Sequence, residues 1–144
     1  MTSPPRPDPR RWLLLGGLVL ATLGAGLAVR YGLDGLAGDL LGGALYAVLV
    51  FQLVTAACWL IRPRAVSRWW RIALLSAALC WGVEVLQLTG LPEQWAAAFP
   101  PARLVFGTTF SAPDLLAYVI GSALAAVMAG RVVRPRQFVG VRAT

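Results

Sequence analysis

Four apolar segments of membrane length constrain the fold of this chain more than any other feature. Two of them carry no charged residue, the third carries only Glu84 and the fourth only Asp114; the segments are 12–29, 40–61, 72–90 and 112–130. About 17–25 apolar residues cross a bilayer as a helix. Because every backbone polar group in lipid must be hydrogen-bonded within the protein, such segments are expected to be helical. The sequence predicts an all-α, integral membrane four-helix bundle.

The composition agrees with a protein that lies almost entirely in the membrane. Of its 144 residues, 58% are hydrophobic and 13% are charged, whereas a soluble domain carries about 25% charged residues. We therefore assign residues 12–133 to the transmembrane domain. The Pro-rich residues 1–11 are predicted to form a disordered cytoplasmic arm, and residues 134–144 a cytoplasmic tail.

The arginines predict the orientation of the helices. Eleven flank the cytoplasmic sides of a four-span arrangement, and only Arg30 and Arg103 lie in the other two links; the eleven are Arg6, Arg10, Arg11, Arg62, Arg64, Arg68, Arg71, Arg131, Arg134, Arg136 and Arg142. By the positive-inside rule, both termini are cytoplasmic and the protein crosses the inner (plasma) membrane several times. The net charge of +7 is therefore explained by the topology of the helices. We expect the lipid bilayer to be a partner of this protein and nucleic acid not to be one. In a competing interpretation, residues up to Ala28 form a cleaved signal peptide.

The residue types present exclude several kinds of chemistry. The chain has no histidine, so a Ser-His-Asp arrangement is excluded. Cys58 and Cys80 have no metal-binding or redox spacing and are interpreted as small buried hydrophobic residues. No metal site, cofactor or glycine-rich phosphate loop is predicted.

Regular spacing of small and polar residues predicts which helix faces pack against each other. Ser76, Cys80, Glu84 and Gln87 share one face of the third helix, which we expect to face protein. Small residues recur every three or four positions on the fourth helix (Ala117, Gly121, Ala125, Ala129) and on the first (Gly17, Ala21, Gly24, Ala28). Such stripes allow membrane helices to approach closely, so both are expected to pack inside the bundle. Gln52 is expected to form an interhelical hydrogen bond.

Glu84 is the residue that calls for a functional explanation. A charge at mid-membrane costs on the order of 2.5–3.5 kcal/mol, so such residues usually face the protein interior and a partner. In the predicted helix 72–90, Glu84 lies about three residues outward of the centre, roughly 4.5 Å. Glu84, Gln87, Arg103, Asp114 and Asp39 are all predicted towards the outer side, where they would converge in one pocket.

Each of these residues also has a structural explanation. The segment 111–114 (SAPD) has the pattern of a helix-capping box, with Asp114 closing the helix end. Asp39 stands where an acid complements a helix dipole. Glu84 would be protonated and hydrogen-bonded to Gln87 or another helix, and Arg103 would anchor the link at the headgroups.

Three blocks resemble a bacterial membrane family known as domain of unknown function 2809. They are YGLDGLAGDLLGGALYAVLVF, GVEVLQLTG and ARLVFGTTFSAPDLLAYVIG, within about residues 30 to 127. The ordered pattern is Gly-Asp, then Glu-x-x-Gln-Leu, then Arg-x-x-x-Gly-x-x-Phe-Ser-x-x-Asp-Leu-x-x-Tyr. The resemblance implies no assigned activity.

A more distant resemblance is to the VanZ-like membrane proteins, which are associated with teicoplanin resistance. It rests on Glu84, Gln87, Arg103 and Asp114, in a helix with Glu-x-x-Gln, a following Arg and an Asp opening a later helix. The chain departs from that pattern in the long gap between Gln87 and Asp114, and in Tyr118 where Asn is expected. The resemblance implies a shared pocket, to which Tyr118 would contribute.

Three functions remain open from the sequence. The first is a small structural or accessory protein of the bacterial envelope, with an exterior-facing polar pocket around Glu84 whose polar side chains hold the bundle together. The second is an enzyme or binding protein for a lipid or cell-wall precursor, in which Arg103 holds an anionic group while Glu84 and Asp114 act as acid and base. The third is a small proton-coupled transporter that uses Glu84 as its relay.

Overall fold

The computed structural model describes residues 9–61, 68–107 and 109–132, all of whose regular elements are α-helices. The helices are α1 (Pro9–Gly32), α2 (Gly35–Ile61), α3 (Trp69–Gln87), α4 (Leu91–Ala98), α5 (Ala102–Phe106) and α6 (Ala112–Val132). Four of them, α1, α2, α3 and α6, are long and apolar enough to cross a membrane. The predicted all-α fold with four membrane-length helices is confirmed. The residues predicted to form most of the N-terminal arm and all of the C-terminal tail lie outside the described ranges.

The surface of this bundle suits lipid rather than water. Many large apolar side chains are exposed, among them Leu13, Leu20, Leu60, Leu74, Val85 and Met128. A soluble monomer rarely exposes contiguous apolar surface on this scale. In a bilayer the same side chains contact acyl chains at no cost, so only the faces between helices need burial.

The helices α1, α2 and α6 extend beyond the apolar segments that predict them, whereas α3 is shifted towards the N-terminus. α1 begins three residues earlier and ends three later than the segment 12–29, and α2 begins at Gly35 rather than at residue 40. Hydropathy reports the length embedded in lipid, whereas helical hydrogen bonds continue into the headgroup region. α3 runs from Trp69 to Gln87 rather than over 72–90. It ends there because the chain turns at Gly90, whose φ is +70°.

α2 and α6 form the centre of the bundle. α2 packs most extensively on α6, and also on α1 and α3, while α6 packs on α3 as well. The closest approach is at Gly121, where a Cβ would overlap the carbonyl oxygen of Ala44 in α2. Ala117 and Ala125, on the same stripe, are also buried. The small residues of α6 therefore bring two backbones together, as their spacing predicts.

The corresponding stripe on α1 behaves differently. Its members Gly17, Ala21, Gly24 and Ala28 are all exposed, and a Cβ at Gly17 or Gly24 would meet no atom within 4 Å. The expectation that this stripe packs inside the bundle is wrong for the single chain. α1 contacts α2 through other residues, including an edge-to-face pair of Trp12 and Trp59 with ring centroids 5.7 Å apart.

The link between α3 and α6 contains structure that hydropathy alone does not predict. The two short helices α4 and α5 fold within it, and α4 contacts both α3 and α5. Trp95 of α4 packs edge-to-face on Phe106 of α5, with ring centroids 5.4 Å apart. This link places residues 105–107 and 109–111 beside the end of α3, where Glu84 lies.

Candidate functional site

Glu84 lies in the last turn of α3 and is 1% exposed. Since α3 runs from residue 69 to residue 87, its midpoint is residue 78 and Glu84 is six residues away, roughly 9 Å along the axis. Glu84 is therefore farther from the midpoint of its helix than the segment 72–90 predicts. A carboxyl group close to a helix end can accept hydrogen bonds from the backbone of a connecting segment. Glu84 does so from the link that leads into α6.

Both carboxyl oxygens of Glu84 accept a hydrogen bond. The hydroxyl of Tyr118 in α6 donates to Oε1 over 2.6 Å, and the backbone N–H of Ser111 donates to Oε2 over 3.0 Å. Both donors are uncharged, and each belongs to a different part of the chain from α3. Glu84 thus joins α3 to the start of α6 and to its body. We call Glu84, Gln87, Ser111, Asp114 and Tyr118 the Glu84 cluster.

The start of α6 uses only part of a capping box. Ser111 precedes the helix, Pro113 lies in its first turn and Asp114 is the acid of that turn. In a capping box, the acid accepts the N–H of the cap residue. Here that N–H goes to Glu84, while the Asp114 carboxyl interacts with the Ser111 side chain. One oxygen of Asp114, Oδ1, is buried and has no hydrogen-bond partner among the described residues.

Gln87 extends the cluster by one helical turn. It is 9% exposed, and its Nε2 donates to the carbonyl oxygen of Phe106 over 2.7 Å. The backbone passes so close that a Cβ at Gly107 would lie 2.6 Å from that Nε2, and Gly107 has a φ of +62°. Glycine suits this turn because it has no Cβ to collide with the amide and because it readily adopts a positive φ. The other amide atom, Oε1, is buried and accepts no hydrogen bond from any described residue.

The structure adds Tyr46 of α2, which the sequence did not single out as a site residue. Its hydroxyl donates to the carbonyl oxygen of Val105 over 2.8 Å, and its ring lies 6.0 Å from that of Tyr118. Tyr46 therefore ties α5 to α2. Its position three residues after Gly43, on the face that packs on α6, is the only sequence signal that would have suggested this role.

The structure does not bring every predicted site residue into the cluster. Asp39 is exposed in the second turn of α2, so its explanation as a dipole partner in the first turn is wrong. It is nevertheless close enough to act electrostatically on Asp114. Arg103 is exposed on α5, and within the described ranges no hydrogen bond or ion pair joins its side chain to Glu84 or Asp114.

A second polar contact lies deeper in the bundle. Gln52 of α2 donates through Nε2 to the hydroxyl of Thr22 in α1 over 2.9 Å, and Thr22 donates in turn to the carbonyl of Leu18. The predicted interhelical hydrogen bond of Gln52 is confirmed. It ties α1 to the bundle and is separate from the Glu84 cluster.

The chemistry of the cluster is that of an acceptor-rich polar site. The donors of Tyr118 and Ser111 are already committed to Glu84, while Asp114 and Gln87 each keep one buried acceptor open. In the part of the chain that the structure describes, no three His, Cys, Asp or Glu side chains are grouped to hold a metal. Both oxygens of Glu84 are thus occupied, whereas Asp114 and Gln87 can each accept a further hydrogen bond.

One family model matches this chain, over residues 33–122, and its description is Protein of unknown function (DUF2809). The matched range starts at the link before α2 and ends within α6, and it contains every member of the Glu84 cluster. The predicted resemblance to this family is confirmed, whereas the likeness to VanZ-like proteins stays a prediction. No curated protein and no solved structure matches.

Proposed function

The chain belongs to the family Protein of unknown function (DUF2809), and from that premise we propose that it is an accessory protein of the bacterial envelope with a small-molecule site. In this proposal the protein crosses the inner membrane with both termini cytoplasmic. The Glu84 cluster then lies at the exterior end of α3 and α6. Its ligand is an envelope lipid or a cell-wall precursor.

The observation that carries the proposal is the pair of open acceptors. A buried polar atom without a partner costs about 1–3 kcal/mol, and most buried polar groups in proteins are hydrogen-bonded. Asp114 Oδ1 and Gln87 Oε1 both lack a partner among the described residues. A cluster built only to pin helices together would gain from satisfying them, whereas a binding site keeps such atoms for its ligand.

Glu84 has a different role in this proposal. Because both of its oxygens are occupied by Tyr118 and Ser111, it positions the first turn of α6 rather than contacting the ligand. Asp114, which lies in that turn, is thereby held against α2, where its Oδ1 would lie 3.5 Å from a Cβ at Gly43. Glu84 is thus a positioning residue, and Asp114 and Gln87 are the binding residues.

A purely structural role for the cluster is the second candidate, and the full hydrogen bonding of Glu84 favours it. Thermal unfolding of the purified chain in lipid nanodiscs, with and without a panel of envelope lipids and precursors, separates the two. We expect at least one compound to raise the Tm of the wild type and of Glu93→Gln, an exposed acid on α4, but not of folded Asp114→Asn. If no compound in the panel distinguishes Asp114→Asn from wild type, the structural role is correct.

A further inference from the structure

The hydrogen-bonding atoms of the Glu84 cluster are unbalanced. Three of its donors have partners: the Tyr118 hydroxyl and the Ser111 N–H donate to Glu84, and one N–H of the Gln87 amide donates to the Phe106 carbonyl oxygen. The acceptors left over are Asp114 Oδ1 and Gln87 Oε1, both buried. A ligand that satisfies these two atoms must therefore bring hydrogen-bond donors.

The charged groups that act on Asp114 are acidic, so the site also lacks a positive charge. Asp114 lies within electrostatic range of two further carboxyl groups, those of Glu84 and Asp39, and no arginine is among the groups acting on it. Arg103, the basic residue nearest in the link, is exposed and pairs with neither Glu84 nor Asp114 within the described ranges. The site therefore favours positive charge, and it does not suit the anionic group that the sequence led us to expect at Arg103.

Building on the proposed function, we infer that the Glu84 cluster binds a primary ammonium group, with Asp114 Oδ1 and Gln87 Oε1 as its acceptors. A protonated amine offers three N–H donors and one positive charge. It therefore supplies the donors that the two open acceptors need and the positive charge that the site favours. Hydrogen bonds between an ionised donor and a carboxylate are about twice as strong as neutral ones. Gln87, 9% exposed and on the same face of α3 as Glu84, provides the neutral second acceptor.

Two sources carry this chemistry at a membrane surface: the headgroup of an amino lipid and a free amine. Both would reach the site if it lies at the headgroup level, where the ends of α3 and α6 are expected. A bare metal ion is a weaker match, since no group of three ligating acids, histidines or cysteines occurs in residues 9–61, 68–107 and 109–132.

The test compares primary with quaternary ammonium groups, because the latter carry the charge but no N–H donor. The full chain is placed in phosphatidylglycerol nanodiscs, then in nanodiscs containing phosphatidylethanolamine or phosphatidylcholine with the same acyl chains. In parallel, ethanolamine or choline is added to the phosphatidylglycerol sample at equal ionic strength. Unfolding is followed by the fluorescence of the six tryptophans.

We expect the primary ammonium, as lipid or as free amine, to raise the Tm by about 5 °C over its quaternary counterpart. A rise with the lipid alone identifies a headgroup site, and a rise with ethanolamine identifies a site for free amines. The rise should persist in Asp34→Asn, an exposed acid in the link before α2, and be lost in Asp114→Asn. If Asp114→Asn does not fold, Gln87→Met provides a second variant in which the rise should be lost. The comparison of primary with quaternary ammonium groups in the wild type needs neither variant.

Four results would overturn the inference. Equal Tm values with primary and quaternary ammonium would show that no N–H donor is recognised. Equal stabilisation of the folded Asp114→Asn or Gln87→Met variant would identify a bilayer effect, and an equal rise with sodium chloride would identify a nonspecific cation effect. If instead a compound without an amine stabilises wild type but not Asp114→Asn, the ammonium inference fails while the proposed binding function stands.

Discussion

The Tyr118 hydroxyl donates a hydrogen bond of 2.6 Å to Oε1 of Glu84, joining side chains that are 34 residues apart in the chain. Both residues are buried, at 5% and 1% exposure. The contact fixes the end of α3 against the second turn of α6, and the Ser111 N–H completes the same carboxyl group from the turn before. The end of α3 and the beginning of α6 are therefore held together by hydrogen bonds, whereas α2 and α6 are held by close packing.

Removing the hydroxyl in Tyr118→Phe should lower the stability by about 1–3 kcal/mol, because it leaves a buried carboxyl oxygen without its donor. The ring remains and keeps its contact with Tyr46. Thermal unfolding of the purified protein measures the change. Tyr31→Phe is the matched control, since Tyr31 is 82% exposed and its hydroxyl lies outside the cluster; an equal loss in both variants would refute the role of the Tyr118 bond.

Glu84→Gln should destabilise the protein by a similar amount, although the side chain keeps its size. One oxygen becomes an NH₂ group, which cannot accept a hydrogen bond from either Tyr118 or the Ser111 N–H. If this group faces Tyr118, it can only donate to the phenol oxygen, and the buried Tyr118 O–H then loses its acceptor. The comparison is with Glu93→Gln, which removes an exposed acid from the first turn of α4. An unchanged Tm for Glu84→Gln would mean that the carboxyl group does not hold α6.

Gly121→Ala should separate α2 from α6 and cost about 1–3 kcal/mol, the range for overpacking a filled core. The new methyl group would overlap the Ala44 carbonyl oxygen, and a backbone atom cannot move aside cheaply. Gly24→Ala, at a site with no atom within 4 Å, should be neutral or slightly stabilising because alanine favours helix. Thermal unfolding should therefore give a lower Tm for Gly121→Ala than for Gly24→Ala. The prediction is wrong if Gly24→Ala has the lower Tm.

The predicted topology places the link before α2 outside the cell and the link before α3 in the cytoplasm. In a Cys58→Ala background, where the remaining Cys80 is buried, a thiol reagent that cannot cross membranes should label Asp34→Cys in intact cells. Arg68→Cys should be labelled only after the cells are broken. Both positions are exposed, so labelling in the reverse order would invert the orientation and place the Glu84 cluster on the cytoplasmic side.

The sequence predicts the site residues less completely than it predicts the helices. The spacing of Ser76, Cys80, Glu84 and Gln87 predicts a face of α3 that packs against protein, and all four are buried. Tyr46 and the Ser111 backbone were not anticipated as partners of the cluster, because their contacts depend on how the link after α3 returns to the bundle. Arg103 was expected beside Glu84 since both lie towards the same end, but a shared depth in the membrane does not specify a shared side of the bundle.

The two small-residue stripes show the same limit for packing. On α6, three members of the stripe (Ala117, Gly121 and Ala125) are buried and Ala129 is half-buried, whereas on α1 all four members of a similarly spaced stripe are exposed. Spacing establishes that a helix can approach a neighbour closely, but only the arrangement of the bundle determines which helix has a neighbour there. For a single chain of four spans, α1 lies at the edge and packs mainly on α2.

The sequence by itself determined the membrane class, the number of long helices and which face of α3 is polar. These follow from length, hydropathy and helical period, all of which are local properties of the chain. Only the tertiary structure decided that Glu84 is satisfied by Tyr118 and Ser111 while Asp114 and Gln87 keep open acceptors. Hydrogen-bond partners depend on distances of a few ångströms between segments far apart in the sequence, and periodicity along one helix carries no information about them.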